Sequence, residues 1–219
     1  MVEGRSLVEQ ALAAGWRVEG QYLAPDTDPV VCDAPGHHLA PGVLERVAST
    51  ESPQPLLAVV LQRPVVLPEA PTFVMVGDRL SDPGNAGTII RSAEAAGADA
   101  VVLTPGSVDP YNPKVVRSTA GSLFRVPVVT LDLAEVARLG LQVLATSSHR
   151  GAAHTDTDLG GPVALVVGNE AHGVDDDAPV DGWLTIPHAG AAESLNVAMA
   201  ATVLAFEVAR QRRARDLGR

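Results

Sequence analysis

A chain of 219 residues with 46% apolar content is long enough for one large domain, or for one domain carrying a smaller one. Its formal charge of −10 argues against a general nucleic-acid-binding surface while leaving room for local binding. The one cysteine, Cys32, excludes an internal disulfide and a cysteine-rich zinc site; no apolar run reaches membrane-span length and MVEGRSLVEQ lacks a signal-peptide pattern, so a cytoplasmic location is expected.

In chain order, RSLVEQALAAG (5–15) predicts a helix stopped by Gly15, and VEGQYLA (18–24) a strand. PGVLERVAST (41–50) predicts a short helix opened by Pro41, and PLLAVVLQ (55–62) a buried strand. Pro64, Pro68 and Pro71 then mark a linker, dividing the chain into 1–65 and 66–219. Beyond it, strands are expected at TFVMVG (72–77), AVVLT (100–104), VPVVTL (126–131), QVLATS (142–147), VALVVG (163–168) and WLTIP (183–187). Helices are expected near 86–96, 113–123, 132–139 and 195–214. Continuous apolar strands separated by helices indicate an α/β fold, a Rossmann-like parallel sheet covered on both faces. Ligands of such sheets bind beyond the carboxyl ends of the strands.

Three post-strand loops carry the polar residues. In GDRLSDPGNAGTIIRSAEAAGAD (77–99), Gly84 and Gly87 permit a tight backbone, Asn85 lies between them, and Arg91 adjoins the apolar stretch of the helix. This is neither a dinucleotide fingerprint nor a Walker A loop. In VALVVGNEAHGVDDD (163–177), Glu170 follows a buried strand, where a carboxylate needs partners. In HAGAAESLN (188–196), Glu193, Ser194 and Asn196 crowd the start of the last helix. Each has an ordinary alternative: Asp82, Asn85, Glu170, Ser194 or Asn196 as a turn or cap residue, Arg91 as half of a surface ion pair. His172 reads as an exposed loop residue, and no spacing here demands a metal. In the final helix, Val197, Met199, Ala200, Val203, Leu204, Phe206 and Ala209 form an apolar stripe. The arginines from Arg210 to Arg219 read as a solvated helix end or as phosphate contacts.

Taken together, NAGTIIRSAEAAG (85–97), LVVGNEAHGV (165–174) and IPHAGAAESLNVAMA (186–200) resemble the three signature motifs of the SpoU (TrmH) family of RNA ribose 2′-O-methyltransferases, of the SPOUT class. The resemblance runs from Thr72 to about Arg210. VEGRSLVEQALAAG (2–15) and the organisation around it resemble the small α/β L30e-like RNA-binding domain that precedes the catalytic domain in many relatives.

The resemblance implies a C-terminal deep trefoil knot whose loops hold S-adenosylmethionine in a bent shape. By motif, Thr146, Gly168, Ile186 and Leu195 would form the cofactor pocket, and Asn85, Arg91, Glu170, Ser194 and Asn196 the catalytic set. Arg91 would stabilise the developing alkoxide beside a phosphate, since arginine rarely gives up its proton. Asn85 would orient the ribose or Arg91, Glu170 would hold Asn85 or Asn196, and Ser194 and Asn196 would complete a polar floor. Lys114, Arg117 and Arg125, in NPKVVRSTAGSLFRVPV (112–128), are candidates for phosphate contact, with surface charge as the alternative. A homodimer through the knotted domain is implied, with the last helix supplying part of the interface; neither a metal nor a membrane is. The two-domain arrangement favours rRNA over tRNA as substrate.

Two features depart from the family. Relatives with the L30e-like domain begin with a further basic helical segment before the VEG phrase. The first part here sets Arg5, Arg17, Arg46 and Arg63 against eight acidic residues. The competing readings are a tRNA ribose methyltransferase, a noncatalytic RNA-binding or ribosome-assembly protein of the same fold, and a nucleotide-binding oxidoreductase. The missing dinucleotide fingerprint counts against the last.

Overall fold

The first sixty residues pair into one small sheet and the rest into a larger one, in a computed structural model that describes residues 1–48, 50 and 52–218. The small sheet has the order β1-β4-β2-β3, from β1 (Val2–Glu3), β2 (Val18–Leu23), β3 (Gly36–His38) and β4 (Leu56–Val60). β4 runs antiparallel to β1 and β2, and β3 joins β2 in parallel. Helix α1 (Arg5–Ala13) buries Val8 and Ala11 against it. β1 and β3 have only two and three residues, too few to leave a period in the sequence. The helix expected over 41–50 contracts to α2 (Val43–Val47): Gly42 precedes it at φ 81 and Ala48 is already extended. Ser49, at the end of that expectation, lies outside the described residues.

The large sheet has seven parallel strands in the order β7-β6-β5-β10-β8-β11-β9. They are β5 (Phe73–Gly77), β6 (Ala100–Leu103), β7 (Val128–Val129), β8 (Gln142–Thr146), β9 (Ala152–Ala153), β10 (Val163–Val167) and β11 (Gly182–Thr185). Every residue of β5 and β10 is buried, and the two align from Phe73 opposite Val163 to Gly77 opposite Val167. Alternation divides them between faces. Phe73, Met75, Leu165 and Val167 join the core beneath α3 (Pro83–Ala95) and α6 (Val197–Leu217). Val74, Val76, Ala164 and Val166 pack with Val136 of α5 (Leu133–Val136) on the other.

The helix expected over 113–123 breaks in two. α4 (Pro113–Ser118) ends where Ala120 and Gly121 adopt φ of 48 and 92, and a 3₁₀ turn follows at Ser122–Phe124. α5 keeps one turn of its expected eight residues, opened by a capping box between Asp132 and Glu135. α6 starts at Val197, after its cap Asn196, and runs on to Leu217. Its apolar residues divide between two faces: Ala198, Ala201, Leu204, Ala205 and Val208 are buried, whereas Met199, Val203 and Phe206 are exposed. Several tail arginines fasten this helix to its own fold. Arg210 pairs with Glu207, Arg212 donates to the carbonyls of Thr72 and Gly161, and Arg215 pairs with Asp158. Arg219 lies outside the described residues. Among the described residues no helix is long and apolar enough to cross a membrane.

The two sheets share one continuous apolar core. At their junction Trp16, 5% exposed, donates its indole N–H to the Phe124 carbonyl at 3.0 Å and meets the Phe124 ring edge-on at 5.4 Å. Arg63 lies over the same indole at 4.8 Å, and Arg125 bridges Gln10 of α1 to Glu94 of α3. Trp16→Ala is therefore expected to cost about 3–5 kcal/mol of global stability, the usual loss for a large buried aromatic. Urea denaturation checks it: an unchanged midpoint would show that the Trp16 contacts add little, and two separate transitions would show that the halves unfold independently.

Candidate active site

Because the strands of the large sheet are parallel, the loops after β5, β8, β10 and β11 emerge at one end of it. The loop after β5 is pinned first. Asp78 is buried and accepts from Thr104 Oγ1 at 2.8 Å, while Arg79 takes a left-handed φ of 52 and spans Asp78 and Asp175. Asp82 then caps α3, its Oδ1 accepting from the Asn85 N–H at 2.8 Å, with Pro83 in the first turn. The Asn85 side chain thereby stands beside the end of β10.

After β10 the chain doubles back. Gly168 passes so close to residues 173–174 that a Cβ there would lie 2.2 Å from the Gly173 carbonyl carbon, and Gly173 itself has φ 70. Asn169 Nδ2 braces the turn against the Arg79 carbonyl at 2.8 Å. Glu170 is thus carried across to the first loop. Its Oε2 accepts from Ser81 Oγ at 3.0 Å, and its Oε1 from the Asp82 N–H at 3.3 Å and Asn85 Nδ2 at 3.0 Å.

The third loop completes a chain of fixed polarity. An ionised carboxylate only accepts, so Asn85 must present its NH₂ to Glu170 and its oxygen to the other side. That Oδ1 accepts from Asn196 Nδ2 at 3.1 Å. Asn196 in turn directs its own oxygen to the Ala198 and Met199 N–H groups, at 2.9 and 3.2 Å, capping α6. Asn85, Glu170 and Asn196, expected from three separate motifs, are hydrogen-bonded to one another.

Partial burial pushes the Glu170 carboxyl up, but hydrogen bonds from Asn85, its own backbone and Ser81 outweigh it and leave a pKa of about 2. A depressed carboxylate contributes stability that is present above its unfolded pKa and is lost as pH falls through the folded one. Comparison of Glu170→Gln with the parent should therefore give a constant difference in Tm from pH 7 to about 4.5, shrinking toward pH 2. A difference that disappeared near pH 6 would contradict this network.

A cleft of about 670 Å³ opens beside the cluster, within the range of cofactor sites. Thr146, Gly168, Ile186 and Leu195 line it, together with Glu170, Ser194 and Asn196. Gly168, closed against 173–174, contributes backbone without bulk to its wall. This mixture of apolar side chains, exposed backbone and a few polar groups fits an adenosyl cofactor. Arg91 is on the exposed side of α3 and is not among the lining residues. Ser194 lines the cleft but makes none of the hydrogen bonds that join Asn85, Glu170 and Asn196.

The three cations of 112–128 differ in their surroundings. Lys114 is exposed, 3.8 Å from Asp82 at the edge of the site. Arg117 is 3.7 Å from Glu3 of the first sheet. Arg125 is held by Glu94 and Gln10, and its guanidinium keeps the Glu94 carboxyl below the usual carboxylate range. The sequence reading did not single out Ser81, Asn169 or Arg79 as parts of the site. Their positions directly after β5 and β10 were the available signal.

Residues 72–206 match the SpoU rRNA Methylase family. The chain is 37% identical to the 23S rRNA (guanosine(2553)-2′-O)-methyltransferase RlmP of Bacillus subtilis, over 95% of this chain and 87% of the relative. It is 34% identical to a 23S rRNA (uridine(2479)-2′-O)-methyltransferase of Streptomyces viridochromogenes, over 80% and 67%. Among solved structures it is similar to the SpoU methyltransferase AviRb of Streptomyces viridochromogenes in complex with AdoMet, with a TM-score of 0.86 and 31% identity over 97% of this chain and 89% of that one. It is likewise similar to an AdoMet-bound rRNA methyltransferase of Sinorhizobium meliloti, with a TM-score of 0.83 and 31% identity over 95% and 85%. With the match covering more than half of its length, the chain belongs to the SpoU rRNA methylase family.

Proposed function

We propose that the protein methylates a ribose 2′-hydroxyl of RNA from S-adenosylmethionine, with ribosomal RNA as the substrate. The observation that carries this reading is the Asn85–Glu170–Asn196 cluster at the wall of the cleft, inside the family match. When bound, the cofactor supplies a methyl group on a sulfonium and leaves as a neutral thioether. The new bond forms at the ribose 2′-oxygen as the carbon–sulfur bond breaks, and the hydroxyl proton passes to a phosphate or water.

The protein's part is alignment and charge. Thr146, Gly168, Ile186 and Leu195 hold the cofactor. Glu170 fixes Asn85, and Asn85 and Asn196 present their remaining amide valences to the ribose; Ser194 adds a hydroxyl to the same floor. Arg91 stabilises the alkoxide as it develops. Lys114 meets a substrate phosphate, and Arg117 and Arg125 of the same segment are further candidates for phosphate contact. The first unit, residues 1–65, is an L30e-like RNA-binding domain, and residues 66–219 form the catalytic domain with a knotted C-terminal segment. A cytoplasmic location fits this reading.

The working form is a homodimer through α6. Met199, Val203 and Phe206, 60%, 40% and 43% exposed, lie on one face at helical spacing. Ser92, next to Arg91, is hydrogen-bonded to Thr202 of α6 at 2.7 Å. Arg91 therefore stands beside this apolar face, and a second copy seated there carries its own cleft to Arg91.

The test is methyl transfer from radiolabelled S-adenosylmethionine to unmodified total RNA, followed by alkaline hydrolysis. Label in alkali-resistant dinucleotides from rRNA is the expected result. Label in tRNA alone would correct the substrate, and cofactor binding without any transfer would support the noncatalytic alternative.

A further inference from the structure

We propose that Arg150 receives the carboxylate of the cofactor's amino-acid portion; this rests on the cofactor reading above. Arg150 is the one arginine or lysine among the described residues that line the cleft, where the acidic side chains are Glu170, Asp176 and Glu193. S-adenosylmethionine has a single anionic group, and its sulfonium and ammonium are cationic. A carboxylate entering this cleft meets one side chain of permanent opposite charge.

The guanidinium is already oriented for the task. Its central carbon lies 3.4 Å from the centre of the Trp183 ring, a stacked cation–π contact. Gly151 makes the stacking possible: at φ +109 the chain runs against β11, and a Cβ would lie 2.4 Å from the Trp183 carbonyl oxygen. One guanidinium edge is in use, with Nη2 donating to Asp176 Oδ1 at 2.6 Å. Asp176 is 92% exposed, so its hold is weak, yet it displays how a carboxylate approaches this group. Nε, Nη1 and the second Nη2 hydrogen have no protein partner among the described residues, so the edge that Asp176 does not occupy still offers two adjacent N–H groups. A guanidinium fixed on an indole, with one complete edge to spare, is pre-organised for planar recognition of a second carboxylate.

Calorimetric titration with two ligands isolates the contact. S-adenosylhomocysteine keeps the carboxylate, and its decarboxylated analogue keeps everything else, the ammonium included. Arg150→Ala is expected to weaken S-adenosylhomocysteine by about tenfold or more while leaving the analogue unchanged, the loss typical of a charge-assisted hydrogen bond. Arg150→Lys, which restores the charge without the fork, should recover part of the difference. Equal weakening of both ligands would make Arg150 a merely structural residue and overturn the inference, as would no change in either. If the parent protein bound neither ligand, the cofactor reading itself would fall.

Discussion

Arg91→Ala is expected to slow methyl transfer by about 10²–10³-fold with cofactor affinity unchanged, the loss seen when one stabiliser of transition-state charge is removed. A ribose hydroxyl is a weak nucleophile at neutral pH, and charge accumulates on its oxygen as the new bond forms. The hydrogen-bonded cluster cannot balance that charge, since its one ionised member, Glu170, is negative. Arg91 is exposed on α3, six residues beyond Asn85, and among the described residues none pairs with its guanidinium. A cation without a protein partner, one helical turn and more from the alignment residue, suits a substrate that brings its own phosphate. Single-turnover transfer, with calorimetry of S-adenosylhomocysteine beside it, separates chemistry from binding. Retention of the full rate would remove Arg91 from the reaction and make Lys114, 3.8 Å from Asp82, the next cation to test.

Loss of the proposed dimer should be nearly as damaging. Met199→Asp combined with Phe206→Asp places two carboxylates on the exposed face of α6, where a second copy would have to bury them unpaired. The expected outcome is a monomer by light scattering, with parental secondary structure and with transfer reduced to the level of Arg91→Ala. Both residues are solvent-facing in the single chain, so the fold itself should tolerate the change. A mixing experiment then asks where Arg91 acts. If it serves the partner's cleft, Arg91→Ala chains mixed with Asn85→Ala chains recover part of the activity through sites built from the unaltered residue of each. No recovery, with heterodimers present, would place Arg91 in its own chain's site.

The core strands and the site loops were legible because both are written in local chemistry. VALVV and FVMVG can only be buried strands, and the polar residues immediately after them had to face a ligand or cap a helix. In fact Asn196 does the capping with its oxygen and reaches Asn85 with its nitrogen, so the ordinary reading and the directed one hold together for the same residue. What escaped the sequence is what depends on pairing at a distance. β1, β3 and β9 are strands only because a partner lies beside them. The break after α4 comes from the left-handed pair Ala120–Gly121, which apolar periodicity does not register. The contact of Arg125 with Gln10, across 115 residues, could not be read from a basic segment that resembled a phosphate-binding one.

The junction at Trp16 has a mechanical consequence. A domain on a flexible tether samples many separations from its neighbour and raises local substrate concentration without choosing a position. Here indole, guanidinium and carboxylate contacts hold the small sheet directly against the 3₁₀ turn and α3, the helix that carries Asn85. An RNA element that touched the small sheet would be held at a set offset from the methylated oxygen. An RNA contact on the small sheet would then work as the fixed jaw of a caliper, selecting the nucleotide by its distance along a folded RNA rather than by its base alone.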